Sequence, residues 1–358
     1  MKKVLLISSK IMHYRVSNYN YFTKKFKENG WEFIVRSNGI DDENPYTLNF
    51  DYNNIPFKFR LYKREISNIK PDIVIFYIEL KNFIIWPLVH WLKLKKIPVI
   101  YWNKGINLEV YNPYIRNQLF YYLHNIVDGL ILFSKNELKY VKKNNHIKTS
   151  IANNALNFDK FPKIIKSKND IKIEYDIPFE KVVLFVGRMR EVKRVDHLIK
   201  IFHKIDNDNF GLVIVGDEMD NNINNIINKK NTKYLGKVYD AKNIKISELF
   251  KMADLFCIPG EVGLSCNQAF YWGLPVLTEN VPFQPPEICY LKNGVNGFIV
   301  EENDIIDLKT KILYLLENDE IRKQFSRNAR TEILQNGSIN NMFSGFKDCI
   351  DFLDESAM

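Results

Sequence analysis

At 358 residues and 46% hydrophobic, the chain carries enough apolar side chain for more than one buried core, which excludes a disordered protein and points to about two domains. Its four cysteines (Cys257, Cys266, Cys289, Cys349) are too few and too far apart for a disulfide framework or a CxxC metal centre, so reduced thiols and a cytoplasmic location are expected. The net charge of +9 is uneven: residues 1–163 hold 26 Lys+Arg against 13 Asp+Glu, net +13, while residues 164–358 hold 25 against 29, net −4. The basic half calls for an anionic partner such as a membrane surface, a phosphorylated substrate or nucleic acid.

The chain opens MKKVLLISSK, whose apolar run falls short of the roughly 7–15 residues of a signal-peptide core, so it reads as a first strand. Further strand-like runs follow at FIVRS (33–37), DIVIFYI (72–78), PVIYW (98–102) and GLILFS (129–134). A second series comprises VVLFVG (182–187), GLVIVG (211–216), DLFCIP (254–259) and LPVLTE (274–279). Short continuous Val/Ile-rich runs separated by helix-length segments are the signature of buried parallel strands, here in two series. The lysine-rich, glycine-free stretch 160–181 lacks a clear period and separates them. The last segment predicts an amphipathic helix with Met342, Phe343, Phe346, Ile350 and Phe352 or Leu353 on one face.

Between the first strands, KNFIIWPLVHWLKLKK (81–96) places Trp86 and Trp91 beside Lys93, Lys95 and Lys96. This composition suits either a helix lying on anionic lipid or a core helix packed on the first sheet. No run reaches the ~20 apolar residues of a membrane span.

Ligands of doubly wound sheets bind beyond the carboxyl ends of the strands, so those turns are where chemistry is sought. In VVLFVGRMREVK, Gly187 allows a tight turn, and Arg188 and Lys193 place two cations near a helix start, as a diphosphate requires. In PGEVGLS, the amides of Gly263, Leu264 and Ser265 begin a helix after a glycine turn and point toward an incoming oxyanion. Asp41-Asp42 reads as a solvated turn, and no DxD pair stands in a metal-binding context, so no metal is expected.

Several segments then resemble the donor domain of the GT-B glycosyltransferases, especially the retaining family 4: FVGRMREVK (185–193), LVIVGDE (212–218), YLGKV (234–238), the run 249–280 and PEICYLKNGVNGFIV (286–300). HYRVSNYNYFTKKF (13–26), YWNKGIN (101–107) and IANNALNFDKF (151–161) are more loosely similar to its acceptor domain. The resemblance implies two Rossmann-like α/β domains facing each other across a cleft: 1–163 for the acceptor, 164–338 for the nucleotide-sugar donor, and 339–358 as a helix returning to the first. It also implies transfer of a sugar from a nucleoside-diphosphate sugar to a glycan or lipid-linked saccharide in cell-surface polysaccharide synthesis, with retention, at the cytoplasmic side of the membrane.

By the same resemblance, Arg188, Lys193 and Gly187 hold the diphosphate, Lys237 and Val238 meet the base, and Glu287 caps the donor pocket. The family carries two glutamates around this turn and helix; aligning on Gly263-Leu264 puts Gly260 and Gln268 in their places. Glu261 stands one residue from the first position and is expected on the sugar, while Gln268 retains an amide for the ribose. Lys104 occupies a place where the family commonly has histidine, and with His13 it is a catalytic candidate. Tyr14, Arg15 and Asn103 are expected to face the acceptor. A nucleotide-sugar epimerase and a non-catalytic sugar-nucleotide-binding homologue stay open as alternatives; nucleic-acid binding lacks any accompanying signature.

Overall fold

The computed structural model describes residues 1–106, 114–217, 231–240 and 242–356. The chain forms two compact units, Met1–Asn157 together with Ser338–Met358, and Phe158–Gly337. The seam falls ahead of Phe158 because Phe158 and Phe161 pack on Tyr271 of the second unit, with ring centroids 4.7 and 4.8 Å away.

The first unit contains β1 (Lys2–Ser8), α1 (His13–Glu28), β2 (Trp31–Ser37), β3 (Asp51–Asn54), α2 (Phe59–Ile69), β4 (Ile73–Tyr77), α3 (Ile85–Leu94), β5 (Val99–Asn103), α4 (Tyr114–Ile126), β6 (Gly129–Leu132) and β7 (Thr149–Ile151). Its sheet has the order β3-β2-β1-β4-β5-β6-β7, every pair parallel. The second unit contains α5 (Lys168–Glu174), β8 (Lys181–Val186), α6 (Val195–Phe202), β9 (Phe210–Val215), β10 (Thr232–Tyr234), α7 (Ile244–Met252), β11 (Leu255–Cys257), α8 (Leu264–Tyr271), β12 (Val276–Glu279), β13 (Gly297–Val300), α9 (Ile305–Glu317) and α10 (Asp319–Asn336). Its parallel sheet runs β10-β9-β8-β11-β12-β13. In each sheet the winding reverses beside the first strand, at β1/β4 and at β8/β11, and crevices for ligands open at such switch points.

The first sheet is buried on both faces, which is why its central strands read as unbroken apolar runs. On one face, Tyr19, Phe22 and Phe26 of α1 join Met342, Phe343, Phe346, Ile350 and Leu353 of the final helix α11 (Ile339–Ser356). Phe346 fits between Phe22, at 4.9 Å, and Trp102, at 4.8 Å. Of the two residues expected at the end of this apolar face, Leu353 is the buried one, while Phe352 packs at its margin. On the other face, α3 buries Ile85, Leu88, Val89 and Leu92, with Trp86 and Trp91 half-buried against the same core. Lys93, Leu94, Lys95 and Lys96 remain outside. Among the described residues no helix is long and apolar enough to cross a membrane.

Candidate functional site

Two loops meet at the switch point of the second sheet. One leaves β8 through Gly187 and Arg188 into a short 3-10 turn, Glu191–Lys193. The other leaves β11 through Pro259 and Gly260 to α8. They are stitched backbone to backbone: Gly260 N donates to Lys193 O at 3.2 Å and Glu261 N to Val192 O at 2.9 Å. The Lys193 ammonium completes the seam by donating to the carbonyls of Glu261 and, at 2.7 Å, Val262.

Gln284 clamps the second loop from its other side. Its carbonyl accepts from Val262 N at 3.2 Å, and its amide donates to Gly260 O at 3.2 Å, Thr278 Oγ1 at 3.1 Å and Glu279 O at 2.9 Å. Below lies a charged anchor around Glu279, 0% exposed at the end of β12. One of its oxygens meets His197 Nδ1 at 2.6 Å; the other accepts from Arg194 Nη1 at 2.6 Å and Asn303 N at 2.9 Å. Arg194 also pairs with Glu302. This network ties the Lys193 turn to β12, so Lys193 is positioned by buried charge as well as by backbone.

Burial pushes the Lys193 ammonium below its ordinary pKa; Glu261 and Glu287 oppose that shift, and Arg188 adds to it as a like charge. Lys193, expected as a free cation for the diphosphate, is therefore first the residue that shapes the loop. Glu287 is 3% exposed in the first turn of a 3-10 helix, Pro286–Tyr290. Gly263, at φ +92°, caps α8 without a side chain. Among the described residues, the amides of Gly263, Leu264 and Ser265 have no acceptor, so the positive end of the helix is open. Gln268 is half-buried one turn further along, on the face of Leu264, and its side-chain amide has no partner among the described residues. Arg188 is exposed, with no hydrogen-bond or ion-pair partner among the described residues.

At the neighbouring strand ends, Gly187 N donates to Val215 O and Gly216 N to Gly236 O, both at 3.0 Å. Lys237 is exposed, its Nζ 3.9 Å from Asp217 Oδ2, and Val238 beside it is half-buried.

The acceptor-side candidates belong to the first unit. The His13 ring lies 3.0 Å from Asp41 Oδ2, which also accepts from His13 N at 3.3 Å. Asp41 is thus no solvated turn residue. It caps α1, which has no side-chain cap of its own, and although burial opposes its charge, the His13 ring and the His13 and Glu43 amides hold its carboxyl below the usual range. Asn103 closes its own turn, donating to Tyr101 O at 3.3 Å and accepting from Gly105 N. Lys104 is exposed and has no partner among the described residues. Arg15 is 3% exposed, its guanidinium 4.7 Å from the Trp102 ring, 5.4 Å from those of Tyr14 and Tyr77 and 5.5 Å from Phe133. Burial works against that charge, yet Tyr77, Tyr14 and Tyr19 hold its pKa above the ordinary value.

Residues 167–332, which include every donor-side residue above, match the family of glycosyl transferases group 1. Over 98% of its length the chain superposes on all of HepE from Anabaena, solved with UDP, at a TM-score of 0.78 and 14% identity. The chain has the GT-B fold. Over 162 residues it is 29% identical to the poly(ribitol-phosphate) alpha-N-acetylglucosaminyltransferase of Staphylococcus aureus, matching 44% of this chain but only 32% of that enzyme's length. A 41.2 kDa protein of the cps region of Klebsiella pneumoniae is 27% identical over 255 residues, 65% of this chain and 67% of the other.

At Gly260, where the resemblance would put its first glutamate, a side chain meets a steric barrier. A Cβ on Gly260 would stand 1.9 Å from Val192 O, so the stitched loops admit only glycine there. Glu261, half-buried in the same turn, is the carboxylate that remains. The Glu279 anchor and the Gln284 clamp belong to no motif in the sequence. The only local signal for Glu279 is a carboxylate closing an otherwise apolar strand, LPVLTE.

Proposed function

We propose that the chain is a glycosyltransferase that moves a sugar from a nucleoside-diphosphate sugar to a glycan or lipid-linked saccharide acceptor in cell-surface polysaccharide synthesis, with retention of configuration. The observation that carries the reading is the pairing of an unpartnered, exposed Arg188 with the open amides of Gly263, Leu264 and Ser265 at the β8/β11 switch point. A departing diphosphate gains negative charge, and donors already aimed at that charge lower the barrier by a few kcal/mol each. Arg188 and the helix N-terminus supply this stabilisation, so the reading needs no metal ion. Glu261 addresses the sugar hydroxyls, Gln268 the ribose, Lys237 and Val238 the base edge, and Glu287 supports the pocket floor beside Lys193.

The relatives support the substrate classes: HepE was solved with UDP and with UDP-glucose, the staphylococcal enzyme is named for GlcNAc transfer to a polymer, and the Klebsiella protein is encoded in a cps region. On the first unit, Phe83 and Leu94, both exposed, and Lys93, Lys95 and Lys96 suit contact with an anionic membrane surface.

A thermal-shift screen of the full chain over UDP, GDP, ADP, CMP and TDP tests the donor site, since a bound ligand stabilises the native state by mass action. One nucleotide should raise the melting temperature in the wild type and lose that effect in Arg188→Ala. If none of the five does so, the reading fails.

A further inference from the structure

We infer that the acceptor of this enzyme carries an oxyanion, a carboxylate or a phosphate, and that Arg15 receives it. The inference rests on the reading of the first unit as the acceptor-binding one and adds the chemical class of the substrate.

Arg15 stands in the first turn of α1, directly after β1, where the first sheet reverses its winding at β1/β4. That is the position at which a doubly wound sheet opens a crevice for a ligand. Rings from three strand ends surround the guanidinium: Tyr77 closes β4, Trp102 lies near the end of β5 and Phe133 follows β6. No carboxylate pairs with it among the described residues. Its hydrogen-bonding neighbours are neutral, the Tyr77 side chain and the thioether of Met342 at 4.0 Å from Nη1, and Nε has no acceptor. Arginine keeps its proton in proteins, so a full positive charge is buried here against rings.

The same unit shows how the chain ordinarily treats a buried arginine. Arg36, 5% exposed, is held by Asp51 at 3.0 Å and Glu65 at 2.6 Å. Ring faces attract a cation but do not replace the counter-ion that a desolvated guanidinium requires. Arg15 is therefore an incomplete ion pair. Its missing partner has a defined chemistry, because Trp102 Nε1, on the ring beneath the guanidinium, is a second buried donor without an acceptor. Two buried donors on one guanidinium–indole contact, one of them charged, match a carboxylate or phosphate better than a neutral hydroxyl. The net +13 of residues 1–163 would draw such an acceptor in.

Isothermal titration of the full chain with inorganic phosphate, glucuronate and glucose tests the site, alongside Arg15→Met, Arg15→Lys and a parallel titration with UDP. The wild type should bind phosphate or glucuronate, and whichever binds names the oxyanion; glucose should not bind. Arg15→Met, which fills the ring box without charge, should melt at the same or a higher temperature, lose the anion by about tenfold or more and keep its UDP affinity. Arg15→Lys should retain part of the anion binding. The proposal is overturned if phosphate and glucuronate bind no better than glucose, or if folded Arg15→Met or Arg15→Lys binds them like the wild type. It is also overturned if the enzyme glycosylates neutral and anionic acceptors equally well. Failure of the wild type to bind any of UDP, GDP, ADP, CMP and TDP would instead overturn the donor-site reading, which the anion titration does not involve.

Discussion

The Lys193 ammonium donates to the Val262 carbonyl at 2.7 Å and to the carbonyl of Glu261 beside it, closing the turn after β8 onto the turn after β11. A charged hydrogen bond contributes about 1.5–3 kcal/mol, but the ammonium also loses hydration on burial, so Lys193→Met should destabilise the chain by only about 2 kcal/mol in urea unfolding. Its larger effect should be on binding, because the amides of residues 263–265 lose their fixed aim; affinity for the nucleotide selected by the thermal-shift screen should fall by about tenfold. Unchanged affinity for that nucleotide in a folded Lys193→Met protein would show that the seam does not organise the donor site.

Gly260 is held by the same seam, and restoring the family's first glutamate there should not help. A Cβ at 1.9 Å from Val192 O forces the loops apart, so Gly260→Ala should already cost about 3 kcal/mol, and Gly260→Glu should cost at least as much. Glu261→Gln changes no backbone contact and should keep the melting temperature while lowering turnover. A well-folded Gly260→Glu enzyme with raised activity would mean that the donor carboxylate belongs at 260 after all.

The Glu279 anchor makes a different claim, about buried charge. With both oxygens engaged by His197, Arg194 and Asn303, Glu279→Ala leaves a guanidinium short of its partner and should lose about 3–5 kcal/mol. Because Glu279 is buried, the loss should persist in high salt, where an exposed pair would be screened. Urea unfolding at low and high salt reads both effects.

The strands that the sequence disclosed and those it hid divide by position in the sheets. VLLIS and VVLFVG lie at sheet centres, covered on both faces, and must be apolar throughout. DYNN of β3, TSI of β7, TKY of β10 and GFIV of β13 are the four edge strands, short and paired on one side only, and they fall outside the apolar runs that mark strands in the sequence. The site divides similarly. Arg188, Glu261 and the glycine turn before α8 lie in local motifs, so their spacing was legible. The Gln284 clamp, the Glu279 anchor and the His13–Asp41 pair join residues far apart in sequence, and no local pattern encodes those partnerships.

His124 supplies a test by pH. It lies buried in α4, both ring nitrogens without a partner among the described residues, near the rings of Tyr101, Phe120 and Tyr121. Burial first, and then the Lys148 charge, push its pKa from 6.5 down to about 4. The folded chain thus holds a neutral ring, while the unfolded chain binds a proton as pH falls through 6.5. Between pH 6.5 and 4 the unfolded state binds more protons, so stability present above that window drains away as the pH drops. The whole shift is worth about 3 kcal/mol, of which about 2 should be gone by pH 5. His124→Phe removes the titrating group and should flatten that part of the profile, so the difference in unfolding free energy between pH 7 and pH 5 should shrink by about 2 kcal/mol relative to the wild type. An unchanged difference would mean that the ring is already charged in the folded protein, or that it reaches solvent.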